Sequence, residues 1–217
     1  QYGYQGRIYP INPKAEEILG IQAYCTILAV EEKIDLAVVA VPSQFVPSVL
    51  KECVEKRIDS VIIISAGFKE SGKEGSRLER DLVEIIKNSS TKVLGPNCLG
   101  VIDTASNLNA SFAAGMPSKG NIAFFSQSGA LCAAVLDWAL EEDVGFSKFI
   151  SLGNKADIDE VDLLLALADD PETKVILGYL EGITNGIRFM EVAGQVSRKK
   201  PIIITKSGRT QAGAKAA

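Results

Sequence analysis

Two serines and a glycine follow a predicted apolar strand in the segment "SQSG" (126–129), and a predicted helix begins directly after them. These residue types suit two chemistries: a hydrolase nucleophile, or a helix N-terminus that binds an anion through free N–H groups and the positive end of its dipole. The chain has no histidine to serve as a general base, and Ser126 and Ala130 occupy the glycine positions of a nucleophile elbow. We therefore favour the anion site, with an ordinary serine N-cap as the alternative.

A glutamate stands at the end of another predicted strand, in "TKVILGYLEG" (173–182). Glu181 follows an apolar run, where a carboxylate is costly unless it has a partner. It is therefore interpreted as a functional carboxylate, with a solvated glutamate at a strand end as the alternative.

Structural roles are assigned to Asp157, Glu160 and Cys98. We expect Asp157 to cap a helix and Glu160 to complete a capping box, in preference to metal binding by Asp157 and Asp159. Cys98, in "GPNCLG" (95–100), is expected to pack as a small residue because no base is in view to activate it. No metal site is predicted.

The elements that must position these residues alternate between apolar strands and amphipathic helices, which indicates an α/β fold with parallel sheets covered on both faces. The predicted strands are 173–182 together with "RIYPIN" (7–12), "DLAVVAVP" (35–42), "SVIIISAG" (60–67), "TKVLGPN" (91–97), "GNIAFFS" (120–126), "FSKFISLG" (146–153) and "KPIIITKSG" (200–208). A Gly/Ser/Asn/Pro-rich stretch at 103–120 interrupts the alternation, so we predict two consecutive units, 1–108 and 109–217. In such sheets ligands bind beyond the carboxyl ends of the strands.

The composition narrows the classes of partner. The 217 residues carry a net charge of −4 and a pI of about 5.1, which disfavours nucleic acid and anionic membranes as partners. Four scattered cysteines favour reduced thiols and hence a cytoplasmic protein. No signal peptide or apolar run long enough to span a bilayer is evident.

Six segments together resemble one family, the NDP-forming acyl-CoA synthetases, and within it the ADP-forming acetyl-CoA synthetases more than the succinyl-CoA synthetase α subunit. They are "IYPINPK", "ISAGFKESGKEG", "LGPNCLGVID", "GNIAFFSQSGAL", "GFSKFISLGNKADID" and "KPIIITKSGRTQAGAKAA". The resemblance implies a Rossmann-like CoA-binding domain followed by a flavodoxin-like domain that holds a phosphorylated histidine.

The resemblance also implies site residues. The phosphate of the phosphohistidine would lie at Ser126, Ser128, Gly129 and Ala130, and Glu181 would contact and orient the histidine. CoA would lie along Lys14, Val41, Pro42, Ile64, Ser65, Ala66, Gly67 and Asn97. For Lys14, a solvated loop lysine is the alternative.

The reaction implied by the family is acyl-CoA + ADP + phosphate ⇌ acid + CoA + ATP, through an acyl phosphate and the phosphohistidine. We expect a glycine-rich turn before Gln1, the histidine loop after Ala217, and an ATP-grasp domain or β subunit that supplies ATP or ADP with Mg²⁺. The segment alone is therefore expected to be inactive, and the assembly to be oligomeric, with CoA and a small carboxylic acid as its ligands.

Two other functions are weighed against the ligase. One is a regulatory CoA- or acyl-CoA-binding module of a lysine acetyltransferase fusion. The other is an NAD-binding Rossmann protein, which is disfavoured because no G-x-G-x-x-G follows any predicted strand.

Overall fold

A computed structural model describes residues 2–208 of the chain. The first unit holds a short antiparallel hairpin and a three-stranded parallel sheet with the order β3-β4-β5. Its elements are β1 (Glu17–Ile18), β2 (Ile21–Gln22), β3 (Leu36–Val39), α1 (Val46–Glu55), β4 (Ser60–Ile63), α2 (Lys73–Ile86) and β5 (Lys92–Leu94). The strands are rich in valine and isoleucine, which suit a buried pleated surface.

The helices of this unit bury one face each against the sheet. Val46, Leu50 and Cys53 of α1, with Leu82 of α2, are at most 1% exposed and share one core with β3, β4 and β5. These positions recur at the three- or four-residue spacing of an amphipathic helix. The packed layers bring the loops after the three strands to one edge of the sheet.

The second unit contains a six-stranded sheet with the order β11-β10-β8-β9-β6-β7. Its elements are β6 (Gly100–Asp103), β7 (Leu108–Ser111), β8 (Lys119–Ser126), α3 (Gly129–Glu141), β9 (Phe146–Ser151), α4 (Glu160–Asp169), β10 (Val175–Leu180), α5 (Gly186–Val196) and β11 (Ile202–Lys206). Four neighbouring strands, β11 to β9 in that order, are parallel, and β6 and β7 add an antiparallel edge. The predicted α/β class is therefore confirmed.

One prediction about an element is wrong. Residues 7–12 do not form a strand: Ile11 makes only an isolated bridge to Tyr24, and Pro10 has no N–H to extend a ladder. The stretch 103–120, which interrupts the predicted alternation, contains β7 and the start of β8. Since β6 pairs with β9, the two sheets divide before Gly100, earlier in the chain than the expected domain boundary at residue 108.

The half-buried Lys148 links the antiparallel edge to the rest of the second sheet through two ion pairs. Lys148 Nζ on β9 lies 3.0 Å from Asp103 Oδ1 and 3.2 Å from Asp170 Oδ2, and the three side chains are 15–22% exposed. Burial alone would raise the pKa of both aspartates. Hydrogen bonds from Ser106 and Lys148 to Asp103, and from Thr173 and Lys148 to Asp170, outweigh burial, so both pKa values are lowered. The triad therefore stabilises the fold when its carboxylates are ionised.

Across residues 2–208 there is no helix with the length and apolar character needed to span a bilayer.

Candidate functional site

A cavity of about 680 Å³ lies between the two units. Its walls come from the loops that follow β4, β5, β8, β9, β10 and β11, which is the edge where ligands of parallel sheets bind. The lining residues are Lys69, Glu70, Asn97, Gln127, Gly129, Ala130, Gly153, Asn154, Glu181, Gly182, Lys206 and Gly208. The structure thus brings Gly129, Ala130 and Glu181, singled out from the sequence, to one place.

The turn before α3 presents backbone groups to this cavity. Ser128 is the N-cap of α3, and its Oγ accepts a hydrogen bond from Leu131 N at 3.3 Å. Ser126 is fully buried, and its Oγ accepts from Ser128 N at 3.0 Å and donates to Ser128 O at 2.9 Å. The Ser126 hydroxyl therefore shapes the turn through its hydrogen bonds to the backbone of Ser128. The first N–H groups of α3, near Gly129 and Ala130, have no intrahelical partner.

The Glu181–Gly182 turn also lines the cavity. Gln127 Oε1 accepts from the backbone N–H groups of Glu181, at 2.9 Å, and of Gly182, at 3.0 Å. Lys206 Nζ donates to Glu181 O at 2.7 Å. The half-buried Glu181 side chain thus follows a backbone that is held from both sides.

Asn154, one of the residues that line the cavity, joins the two units through hydrogen bonds. Its Nδ2 donates to Glu70 Oε2 at 2.6 Å and to Glu79 Oε2 at 2.7 Å, and its backbone N–H donates to Pro96 O at 2.8 Å. Lys69 Nζ donates to Asn154 O and lies 3.2 Å from Glu79 Oε1. Asn154 follows β9 of the second unit, whereas its partners belong to the first.

Glu70 extends this network to the loop after β4. Its Oε1 accepts from Gly67 N at 2.6 Å and from Phe68 N at 3.0 Å. Burial would raise the pKa of Glu70, but the hydrogen bonds from Asn154, Phe68 and Gly67 outweigh it and lower that pKa. An ionised Glu70 therefore links the loop after β4 to the loop after β9.

The residues expected along CoA fall into two groups. Ser65 Oγ donates to Val41 O at 2.6 Å, and Asn97 N donates to Ser65 O at 3.0 Å, so the ends of β3, β4 and β5 are joined. Gly67 has a φ of +105°, and a Cβ there would lie 2.7 Å from Ser43 Oγ, so glycine suits this loop. The first group, at these strand ends, consists of Val41, Pro42, Ile64, Ser65, Ala66, Gly67 and Asn97.

Lys14 lies apart from them. It lines a second cavity of about 640 Å³ with residues that include Asn12, Glu16 and Cys25, and its backbone N–H donates to Asn12 Oδ1 at 2.9 Å. None of the first group lines that cavity within residues 2–208. The structure therefore does not bring Lys14 into the cavity shared by the two units.

The capping prediction for α4 is wrong by two residues. Asp159 is the N-cap, with Oδ1 accepting from Val161 N at 2.8 Å, and Asp162 completes the box. Asp157 instead accepts from Val93 N at 2.8 Å, because β5 is an edge strand of its sheet and that N–H needs a partner. Glu160 is buried against Lys155, with Nζ and Oε2 2.7 Å apart.

Cys98 is 2% exposed, and burial raises its pKa to about 12, so it packs as the sequence indicates. No group of three or more His, Cys, Asp or Glu residues that could hold a metal ion occurs in the described part of the chain.

Sequence reasoning missed Gln127, Asn154, Lys155 and Lys206. Gln127, Asn154 and Lys155 follow strand ends, and Lys206 is the last residue of β11, but polar residues at such places serve many purposes. Their role emerges only from their partners on other loops.

Fold and cavity define a class of protein: two consecutive α/β units with one cavity at the carboxyl ends of their strands. Residues 1–104 match a CoA binding domain, and residues 119–217 match a succinyl-CoA ligase-like flavodoxin domain. The two domains that the resemblance to the NDP-forming acyl-CoA synthetases implied are therefore both present.

Several relatives are similar along nearly the whole chain. It is 50% identical to an ADP-forming acetate–CoA ligase I of Archaeoglobus fulgidus, over 99% of this chain and 31% of that protein. It is 48% identical to the α subunit of ADP-forming acetate–CoA ligase II of Pyrococcus furiosus, over 99% of this chain and 47% of that protein. The chain therefore spans less than half the length of these relatives.

A solved structure has the same fold. The apo form of dinucleotide-forming acetyl-coenzyme A synthetase 1 of Ca. Korarchaeum cryptofilum superimposes with a TM-score of 0.94 and 44% identity, over 99% of this chain and 47% of that chain. The same enzyme is also known in complex with phosphate and ADP.

Proposed function

We propose that this chain is the CoA-binding and phosphohistidine-binding part of an ADP-forming acid–CoA ligase that acts on acetyl-CoA. The reaction is acetyl-CoA + ADP + phosphate ⇌ acetate + CoA + ATP. The observation that carries the proposal is the cavity shared by the two units, because the acyl phosphate forms at the CoA thioester and its phosphoryl group must then reach a phosphate-binding helix end.

Each wall of the cavity has a role in this proposal. CoA lies along the ends of β3, β4 and β5, and phosphate displaces the CoA thiolate from the thioester carbon to give acetyl phosphate. A histidine from outside these 217 residues attacks the phosphorus and releases acetate. The N-terminus of α3, at Ser128, Gly129 and Ala130, binds the phosphoryl group on the histidine. Glu181 accepts a hydrogen bond from the imidazole and orients it.

Other components complete the enzyme. The phosphohistidine passes its phosphoryl group to ADP, which an ATP-grasp domain or β subunit binds together with Mg²⁺. We propose that the complete assembly is an oligomer located in the cytoplasm.

Two measurements test this function in the complete protein. Incubation with acetyl-CoA, ADP, Mg²⁺ and phosphate should produce ATP, and calorimetry should detect CoA binding that is tighter than NAD binding. CoA binding without ATP formation would favour the regulatory module of an acetyltransferase fusion, which the relatives named above disfavour because they are ligases. Tighter binding of NAD would overturn the assignment of the first unit.

A further inference from the structure

Side chains from three other loops bind the backbone of the Glu181–Gly182 turn. Gln127 Oε1 accepts from both N–H groups, Lys206 Nζ donates to Glu181 O, and Lys155 Nζ donates to Gly182 O at 2.7 Å. Both N–H groups and both carbonyls of the turn are thus satisfied by side chains. Tight turns more commonly use their own backbone groups for this purpose.

Gln127 connects this turn to the turn before α3. It stands between Ser126 and Ser128 in the turn before α3, and it is 54 residues from Glu181 in the sequence. Its backbone N–H donates to Tyr179 O at 3.0 Å, so its main chain is fixed against the end of β10. The side chain therefore bridges the turn before α3 and the Glu181–Gly182 turn.

Lys155 is held in an energetically costly arrangement. Its side chain is 7% exposed, it pairs with Glu160, whose side chain is 1% exposed, and its backbone has a φ of +58°. Glu160 Oε1 is buried and has no hydrogen-bond partner within the described residues. A buried ion pair is often no more stabilising than an apolar pair of the same size, and strained backbone of this kind clusters at functional sites. A need to hold the Gly182 carbonyl in place would explain why the buried Lys155–Glu160 pair and the unusual backbone of Lys155 are retained.

We propose that Gln127 is a positioning residue that holds the Glu181 turn in register with the N-terminus of α3, and that Lys155 and Lys206 complete the hold. This inference rests on the proposed function, in which one imidazole ring meets the α3 N-terminus through its phosphoryl group and Glu181 through its N–H. A ring of fixed size can satisfy both only when their separation is fixed.

The test uses Gln127→Met in the complete enzyme, because methionine keeps the length of the side chain and removes its acceptor. We expect ³²P incorporation from labelled phosphate and acetyl-CoA to slow by about tenfold, the scale of losing two hydrogen bonds that orient a reacting group. CoA affinity should be unchanged. The matched control is Gln195→Met, the same substitution at an exposed position of α5, which should label at the wild-type rate.

A double-mutant cycle separates positioning from general damage. If Gln127 acts through Glu181, the effect of Gln127→Met should fall below about twofold in a Glu181→Gln background. Equal effects of Gln127→Met in both backgrounds would overturn the proposal.

Amide hydrogen exchange tests the same hold without activity. The amides of Glu181 and Gly182 should exchange at least about tenfold faster in Gln127→Met than in the wild type. Unchanged exchange at both amides would refute the inference whatever the labelling rates are. Faster exchange in a protein whose wild type incorporates no phosphate would support the hold and reject the proposed function.

Discussion

Substitution of Asn154 by alanine should weaken the junction between the two units. It removes the Nδ2 donor shared by the buried Glu79, at 2.7 Å, and the exposed Glu70, at 2.6 Å. Hydrogen bonds to charged groups contribute about 1.5–3 kcal/mol each, and the bond to Glu70 belongs at the lower end because solvent screens that carboxylate. We therefore expect a loss of about 3 kcal/mol, or about 6–12 °C in Tm for a chain of this size.

The assay is urea unfolding followed by far-UV circular dichroism and by the fluorescence of Trp138, the one tryptophan of the chain, on α3. Asn154→Asp is the informative companion, since it places a third carboxylate against the other two and should lose more stability than alanine at neutral pH. Glu84→Gln, which removes an exposed i,i+3 ion pair with Lys87, should change the free energy of unfolding by less than about 0.5 kcal/mol.

Two results would refute the reasoning. A loss below about 1 kcal/mol for Asn154→Ala would mean that water replaces the amide without cost, and that the junction does not depend on it. Asn154→Asp with stability equal to that of the wild type at pH 7 would mean that a third carboxylate is tolerated beside Glu70 and Glu79, and that the amide donor is not required there.

Two further predictions concern ionisable groups elsewhere in the fold. Lys148→Met leaves its two aspartate partners buried without a cation, so their folded pKa values should rise above the unfolded value of about 4. The loss of stability should then be greatest above about pH 5 and shrink towards pH 3. Urea unfolding across that range measures it, and a loss that is independent of pH would contradict the prediction. Of the four thiols, a neutral maleimide should label only the exposed Cys25 in the native protein, because burial raises the pKa of Cys53 to about 11 and that of the other two to about 12. Mass spectrometry that finds a second labelled cysteine before unfolding would show that the core opens.

The parallel strands were predictable because they form unbroken apolar runs, as in "SVIIIS" at 60–65, where the central strand β4 buries Val61, Ile62 and Ile63 on both faces. The antiparallel edge was not predictable in this way. β7 reads Leu-Asn-Ala-Ser, with polar residues at alternate positions, and only its pairing with β6 makes it a strand. The false strand at 7–12 has the reverse cause. β-favouring residues surround Pro10, but within residues 2–208 this segment forms only the isolated bridge of Ile11 to Tyr24 and no full ladder.

The position of the site followed from the rule that ligands bind at the carboxyl ends of parallel strands. That rule brings Gly129 and Glu181 to the same edge of one sheet, and the cavity contains both. It does not distinguish Ser126, whose hydroxyl is used inside the turn, from Ser128, because both are serines next to a strand end. It also does not identify Gln127, because the partner of that side chain is a turn 54 residues away in the sequence.

The central claim is that the α3 N-terminus and Glu181 together serve one phosphohistidine. It is tested most directly by the rate of ³²P incorporation from labelled phosphate and acetyl-CoA into the complete enzyme and two variants. Glu181→Gln removes a charge at nearly constant size, and Gly129→Asp introduces one where an added Cβ meets nothing within 4 Å. With folding verified by circular dichroism, the account predicts that Glu181→Gln labels at least about tenfold more slowly than the wild type, and Gly129→Asp more slowly still. Wild-type labelling rates in both folded variants would contradict it.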